Sequence, residues 1–441
     1  MTHHPLTAAL IVSFALTAAK AAAQDTTQVA PGDTLRLGAL QDSAVMRSPR
    51  GRELTLLLEQ SRLRQQNLNA QRLPSLSVEG QAQYQSDVAR LPVTLPGGLS
   101  VPTPPKDTYD AHVAAGEKLF DPTIGPQRAV ENAQLAESQA RLRAQLYPLR
   151  QNVSDAFFAA AQAQAQIAEL QLTITDLEAQ LKVATARVRE GTALPSEERA
   201  LRAEILRRRQ SVAEAGASRR AALATLADLT GQSYDSTTLL ATTDLSTIVA
   251  RTRDSLAILR SRPEYEQFAR ARAVLEQQER ARRSQDLPRL SAFGRAGYGR
   301  PGLNPLANKF ETYWVTGLQL QWTPWTWGTS GRDRQILELQ RQILDAEEQE
   351  FTNTVRRGIE SDLANIDRLE AAVKDDDEIV RLRESILTET RARFNEGVVT
   401  SAEYVDRQTD VLSARTTRAL HRVELAQARA RFLNTLGIEA R

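Results

Sequence analysis

Catalysis needs nucleophiles, general bases or metal ligands held at short spacing, and this chain of 441 residues supplies few of them. It has no cysteine, which removes disulfides, thiolate metal sites, thiol nucleophiles and a lipid-modified N-terminal cysteine. Its four histidines are His3, His4, His112 and His421. The first two fall in a segment expected to be removed, so no histidine cluster remains for a metal or a triad. The acidic groups are the better candidates. Asp375-Asp376-Asp377-Glu378 is the sharpest charge run, able to line a passage or bind a divalent ion, although such a run on a helix is ordinarily a solvated face. Glu403 and Asp406 stand three residues apart, so on a helix their carboxylates share a face. Overall, 56 Lys plus Arg balance 54 Asp plus Glu with both signs interleaved, which leaves no field to hold nucleic acid. No catalytic set, cofactor motif or metal spacing emerges, and an enzyme is not expected.

The elements that carry these residues begin with an apolar run from Leu6 to Ala19, followed by the small residues Ala21-Ala22-Ala23. This reads as a secretory signal peptide over 1–23. No other stretch approaches the roughly 18 apolar residues of a membrane helix, so any later membrane crossing must be made by strands.

The rest of the chain is one plan written twice. Ser48-Pro49 and Leu73-Pro74 recur at a constant spacing as Arg262-Pro263 and Leu287-Pro288, and Leu76, Gly80, Ala82 and Tyr84 recur as Leu290, Gly294, Ala296 and Tyr298. Near the end of each long helix Arg187, Glu190 and Gly191 recur as Arg393, Glu396 and Gly397. The first copy is assigned to 24–230: a helix, strands at about 74–86 and 108–120, a long helix at about 127–190 and a return helix at about 196–229. A Ser/Thr/Asp-rich connector, 231–261, reads as a mid-height belt. The second copy, 262–441, has a helix, strands at about 288–299 and 311–323, a long helix at about 331–396 and a return helix at about 401–436.

In the first strand Leu76, Val78, Ala82 and Tyr84 point one way and Ser77, Glu79, Gln81 and Gln83 the other. Trp314, Leu318, Leu320 and Trp322 make a second apolar face, ending in an aromatic cluster with Trp325 and Trp327, as a membrane interface selects. The strand from Tyr109 to Phe120 alternates poorly, with His112, Glu117 and Lys118 mixed in. Ile167, Leu170, Ile174, Leu177, Leu181, Ala184 and Val188 form a heptad seam. The second copy keeps Val373, Val380, Leu387 and Phe394 and adds a stripe of Ile379, Leu382 and Ile386, so this helix packs on two sides. Asp376 and Arg383 replace the seam residues Leu170 and Leu177, and a buried pair there would set register. Pro148 and Gly358 are expected to bend their helices at similar heights.

Signal peptide, duplication, paired strands, heptad helices and the turns Arg187-x-x-Glu190-Gly191 and Arg393-x-x-Glu396-Gly397, each followed six residues after glycine by Glu197 or Glu403, together resemble the TolC family of outer-membrane efflux proteins. The resemblance implies a mostly α fold with a small β part. In it, a homotrimer joins four strands per protomer into a twelve-stranded barrel through outer-membrane lipid, above a long periplasmic α-barrel. It implies a passive exit duct of a tripartite efflux or type I secretion system, docked to an inner-membrane transporter through a periplasmic adaptor (a membrane fusion protein), with no cofactor. Glu403 and Asp406 would ring the periplasmic constriction; in the first copy Glu197 matches but Ala200 stands in the outer place. Thr400-Ser401-Ala402-Glu403 also reads as a capping box, which would hold Glu403 without any pore. Arg187, Glu190, Gly191, Glu197, Arg393, Glu396, Gly397 and Glu403 are the expected adaptor-docking turns. The rival is a periplasmic adaptor or coiled-coil scaffold without a pore. An adaptor needs one hairpin between soluble β domains, whereas here the hairpin occurs twice, each behind a strand pair.

Overall fold

The computed structural model describes residues 34–89, 103–253 and 260–438. The expected signal peptide lies outside the described residues, as do the middle of the loop after Ser86 and part of the connector.

Each copy runs helix, two strands, long helix, return helix. In the first these are α2 (Gly51–Ala70), β2 (Ser75–Tyr84), β3 (Asp107–Phe120), α3 (Ile124–Leu146) continued by α4 (Pro148–Arg189), and α5 (Pro195–Thr230). In the second they are α7 (Pro263–Ser284), β5 (Arg289–Arg300), β6 (Glu311–Gln321), α8 (Thr329–Asn395) and α9 (Ser401–Leu436). Before and between the copies lie β1 (Thr34–Leu35), α1 (Leu37–Arg47), β4 (Leu239–Leu240) and α6 (Ser246–Arg253).

The first long helix divides at Tyr147 because Pro148 has no N–H to donate back to the preceding turn and is tolerated only as the first residue of α4. The corresponding break is absent from the second copy. α8 runs uninterrupted through Gly358 for 67 residues, roughly 100 Å of helix. Gly358 sits instead where α8 presses on α9, since a Cβ there would meet Thr435 Cγ2 at 3.3 Å. The exchanged seam residues also behave otherwise than expected. Asp376 is buried and bonded to His421 Nδ1 at 2.6 Å, whereas Arg383 pairs with Asp410 at 2.9 Å.

The sheet order is β2-β3-β5-β6, every pair antiparallel, so the two copies join at β3 and β5. The register places Leu76, Val78 and Tyr84 on one face with Tyr109, Ala111, Val113 and Ala115, then Ala292, Ala296 and Tyr298, then Trp314 and Leu318. β3 alternates only in part. Its Asp110, His112 and Lys118 fall on the polar face with Glu79, Arg295 and Tyr313, but Asp107 and Glu117 fall on the apolar one, Glu117 opposite Ala292. Gly297 is required here. His112 and Tyr313 lie over it from both sides, and a Cβ would come within 2.5 Å of His112 Cβ.

Two apolar cores hold the helices. The larger, at the level of the connector, gathers Leu40 and Ala44 of α1, Val153, Phe157 and Phe158 of α4, Leu226 of α5, Ile366 and Leu369 of α8 and Phe432 and Leu433 of α9. β1 pairs in parallel with β4, and α1 is tied to α4 by Gln41 Nε2 donating to Ser154 Oγ at 2.9 Å. The second core, toward the turns, gathers Leu177 and Ala184, Leu201 and Ile205, Leu387 and Phe394, and Tyr404 and Val411.

Candidate functional site

The two helical turns are built alike. α4 and α8 both close in a Schellman motif: Thr192 N–H donates to Arg187 O and Gly191 N–H to Val188 O, while Val398 N–H donates to Arg393 O and Gly397 N–H to Phe394 O. The motif needs a left-handed residue, and Gly191 and Gly397 supply φ of 74° and 78°. Glu190, Glu396 and Arg393 are exposed at these turns, and Glu197 is half-buried in the first turn of α5. Arg187 is engaged inside the chain. Its Nη1 donates to Phe394 O at 2.8 Å and its guanidinium lies over the Phe394 ring, 5.7 Å from the centroid.

Glu403 and Asp406 are both exposed on the first turns of α9. Thr400 caps that helix by accepting from Glu403 N–H at 3.3 Å, but no reciprocal bond from the Glu403 carboxylate is formed among the described residues. Only the Thr400 half of the capping box exists, so the Glu403 side chain is left free for another use. Neither carboxylate has an ion-pair partner among the described residues, and neither do Glu190, Glu197 and Glu396 at the same turns. The acidic run is different. Asp376 is held by His421, Asp377 by Arg422 at 2.7 Å and Glu378 by Arg381. These are intrachain structural pairs, and among the described residues no cluster has metal-ligand geometry.

Beside Glu403 sits a network that local spacing does not reveal. Tyr404 is fully buried, stacked on Phe394 at 5.3 Å between centroids, and its hydroxyl donates to Asp176 Oδ2 at 2.6 Å. Arg391 holds the other Asp176 oxygen. Burial, and then the Asp176 carboxylate, push the Tyr404 hydroxyl well above the usual tyrosine range. The network ties α4 of the first copy to α8 and α9 of the second. Its members break the internal repeat: Asp176 stands where the second copy has Leu382, and Tyr404 where the first has Glu198. That departure was the only signal available in the sequence.

At the other end of the chain the sheet's apolar face is bare. Leu76 is 74% exposed and Trp314 is 72% exposed, and Trp322, Trp325 and Trp327 stand exposed at the junction with α8. β2 and β6 each keep one unpaired edge within the chain. No helix among the described residues is long and apolar enough to cross a membrane.

Comparison with known proteins agrees with this architecture. The family described as Outer membrane efflux protein matches residues 42–232 and 257–437, which takes in both copies. Among solved structures the fold is shared with CusC, at 18% identity and a TM-score of 0.65 over 94% of this chain and 96% of that one. It is shared with the outer membrane protein VceC of Vibrio cholerae, at 15% identity and a TM-score of 0.62 over 92% and 97%. The open state of the MtrE outer membrane channel of Neisseria gonorrhoeae aligns at 19% identity and a TM-score of 0.62 over 92% and 89%. No curated protein sequence matches significantly. With the duplicated strand-and-hairpin plan, the bare apolar sheet face and a family match spanning both copies, this chain belongs to the outer membrane efflux protein family.

Proposed function

We propose that three copies of this chain form a passive exit duct, each giving four strands to a closed twelve-stranded barrel and two hairpins to a ring of periplasmic helices. The observation that carries this reading is the sheet: one face apolar and bare, two free edges, and too few strands to close around anything. Four strands cannot enclose a lumen, and an edge strand in lipid leaves its backbone groups unsatisfied. Pairing β6 of one copy with β2 of the next removes every edge. From Leu290 to Tyr298 the apolar face of β5 runs for about nine residues, the length of a tilted strand that crosses the apolar core of a membrane.

In this duct Glu403 and Asp406, unpaired on one face of α9, form two carboxylate rings at the periplasmic constriction. The turns at Glu190, Gly191 and Glu197 and at Arg393, Glu396, Gly397 and Glu403 face a periplasmic adaptor that delivers substrates from an inner-membrane transporter. A pore-free adaptor or scaffold leaves the bare sheet face without a role. The test is extraction from outer membranes. The chain should require detergent, resist carbonate, run as a trimer by native mass measurement and conduct ions in planar bilayers. A carbonate-soluble chain, or a monomer as the sole extracted species, would overturn the proposal.

A further inference from the structure

The two hairpins correspond residue for residue at a spacing of 206. The ends of the long helices (Arg189, Asn395), the left-handed glycines (Gly191, Gly397), the starts of the return helices (Pro195, Ser401) and their ends (Thr230, Leu436) all obey it. Under this correspondence α8 repeats α4 and α9 repeats α5. Within the chain, helix contacts run from α5 to α4, from α4 to α9 and from α9 to α8, and α5 also touches α9, a contact that is its own repeat-equivalent. The α4–α9 contact therefore has a repeat-equivalent, α8 against α5, that one chain cannot make with itself. Four observations show its two halves waiting.

On α4, Thr173 and Gln180 are 2% and 7% exposed and share a face with Asp176, which holds Tyr404 of α9. The equivalent positions on α8 are Ile379, Leu382 and Ile386, and these are 46%, 49% and 42% exposed. Three large aliphatic side chains stand open where the repeat buries its counterparts. At the tips the same asymmetry appears in polar form. A Cβ on Gly397 would meet Arg187 Nη2 at 2.7 Å, because that guanidinium occupies the turn, whereas nothing lies within 4 Å of the same point on Gly191. Arg393, the counterpart of Arg187, is exposed and makes no hydrogen bond or ion pair among the described residues. The Val188 carbonyl, counterpart of the Phe394 carbonyl that receives Arg187, accepts only its own Schellman bond from Gly191 at 3.1 Å.

We infer that a second copy completes the first hairpin: its α8 lies along α5 with Ile379, Leu382 and Ile386 inward, and its Arg393 guanidinium covers Gly191 and donates to the Val188 carbonyl. A charged donor on the last carbonyls of a helix is favoured by the dipole as well as by the hydrogen bond. The contact is head to tail, because the face given (α8) differs from the face received (α5 with the α4 turn), and such a contact repeated at a fixed rotation closes a ring. Alternating intrachain and interchain contacts of one kind then make six near-equivalent hairpins from three chains. This inference rests on the trimeric reading and adds the residues of the helical interface to it.

The chain lacks cysteine, so an introduced pair reports on one contact alone. Arg393→Cys with Thr192→Cys, treated in native outer membranes with a bis-maleimide about as long as an arginine side chain, should convert most chains to covalent dimers and trimers. Either single variant should give none. The equivalent intrachain pair, Arg187→Cys with Val398→Cys, should link within one chain with no gain in mass. Native trimers whose intrachain pair links while the Arg393/Thr192 pair yields no covalent multimer would overturn the tip contact and leave the trimer standing. Extraction of monomers only would overturn both.

Discussion

Replacing Tyr404 with phenylalanine isolates the bond that latches the two copies together near their turns. Phenylalanine keeps the fully buried ring and its stacking on Phe394 and removes only the O–H that Asp176 accepts at 2.6 Å. A hydrogen bond to a charged acceptor contributes about 1.5–3 kcal/mol. Arg391 still holds the second Asp176 oxygen, so the carboxylate is not stripped and the loss falls in the lower part of that range. At 1.4 kcal/mol per tenfold, a loss of about 1.5–2 kcal/mol raises local opening roughly 10- to 30-fold. Hydrogen–deuterium exchange should show that acceleration at the amides of residues 404–408 and no change around Phe432, in the other core. Acceleration below about threefold, or an equal rise in both regions, would refute the latch. The wild-type bond also has a pH signature. Because the folded Tyr404 hydroxyl titrates above its unfolded value of about 10, its stabilisation is complete below pH ~10 and fades only as pH climbs through the folded value.

Two further predictions concern carboxylates. In planar bilayers the wild type should be cation-selective and blocked by divalent ions, and Glu403→Ala with Asp406→Ala should weaken both; an unchanged reversal potential would place these groups outside the pore. Asp362 is buried between α8 and α9, hydrogen-bonded to Thr435 at 2.7 Å, and burial raises its carboxyl above the ordinary value. Its contribution to stability is therefore complete below the unfolded value near 4 and is lost as pH rises through the folded one. Asp362→Asn should raise thermal stability at pH 7 and make no difference in acid below pH ~4, and a loss of stability at pH 7 would show that the Arg431 pair outweighs desolvation.

Hydrophobic periodicity made most of this architecture legible without coordinates. The heptad seam from Ile167 to Val188, the alternation of Leu76 and Val78 with Ser77 and Glu79, and the repeat of Arg187, Glu190 and Gly191 as Arg393, Glu396 and Gly397 are local patterns, because a helix or strand presents one face at a fixed period. The same locality explains what stayed hidden. Alanine is read as neither face, so the place of β3 rests on its register with β2 and β5, which sets Ala111, Val113 and Ala115 on the apolar side and leaves Glu117 among them. Asp376 had an obvious candidate partner on its own helix in Arg383, yet it pairs across to His421 on α9. The latch of Asp176, Arg391 and Tyr404 joins residues more than 200 positions apart, and the absence of an ion pair at Glu403 and Asp406 likewise follows from which arginines packing brings near them. Sequence determines what each element presents along its length, since that depends on spacing within one helix or strand. Which side chain meets which across elements is set by packing many elements at once, and no spacing along the chain encodes it.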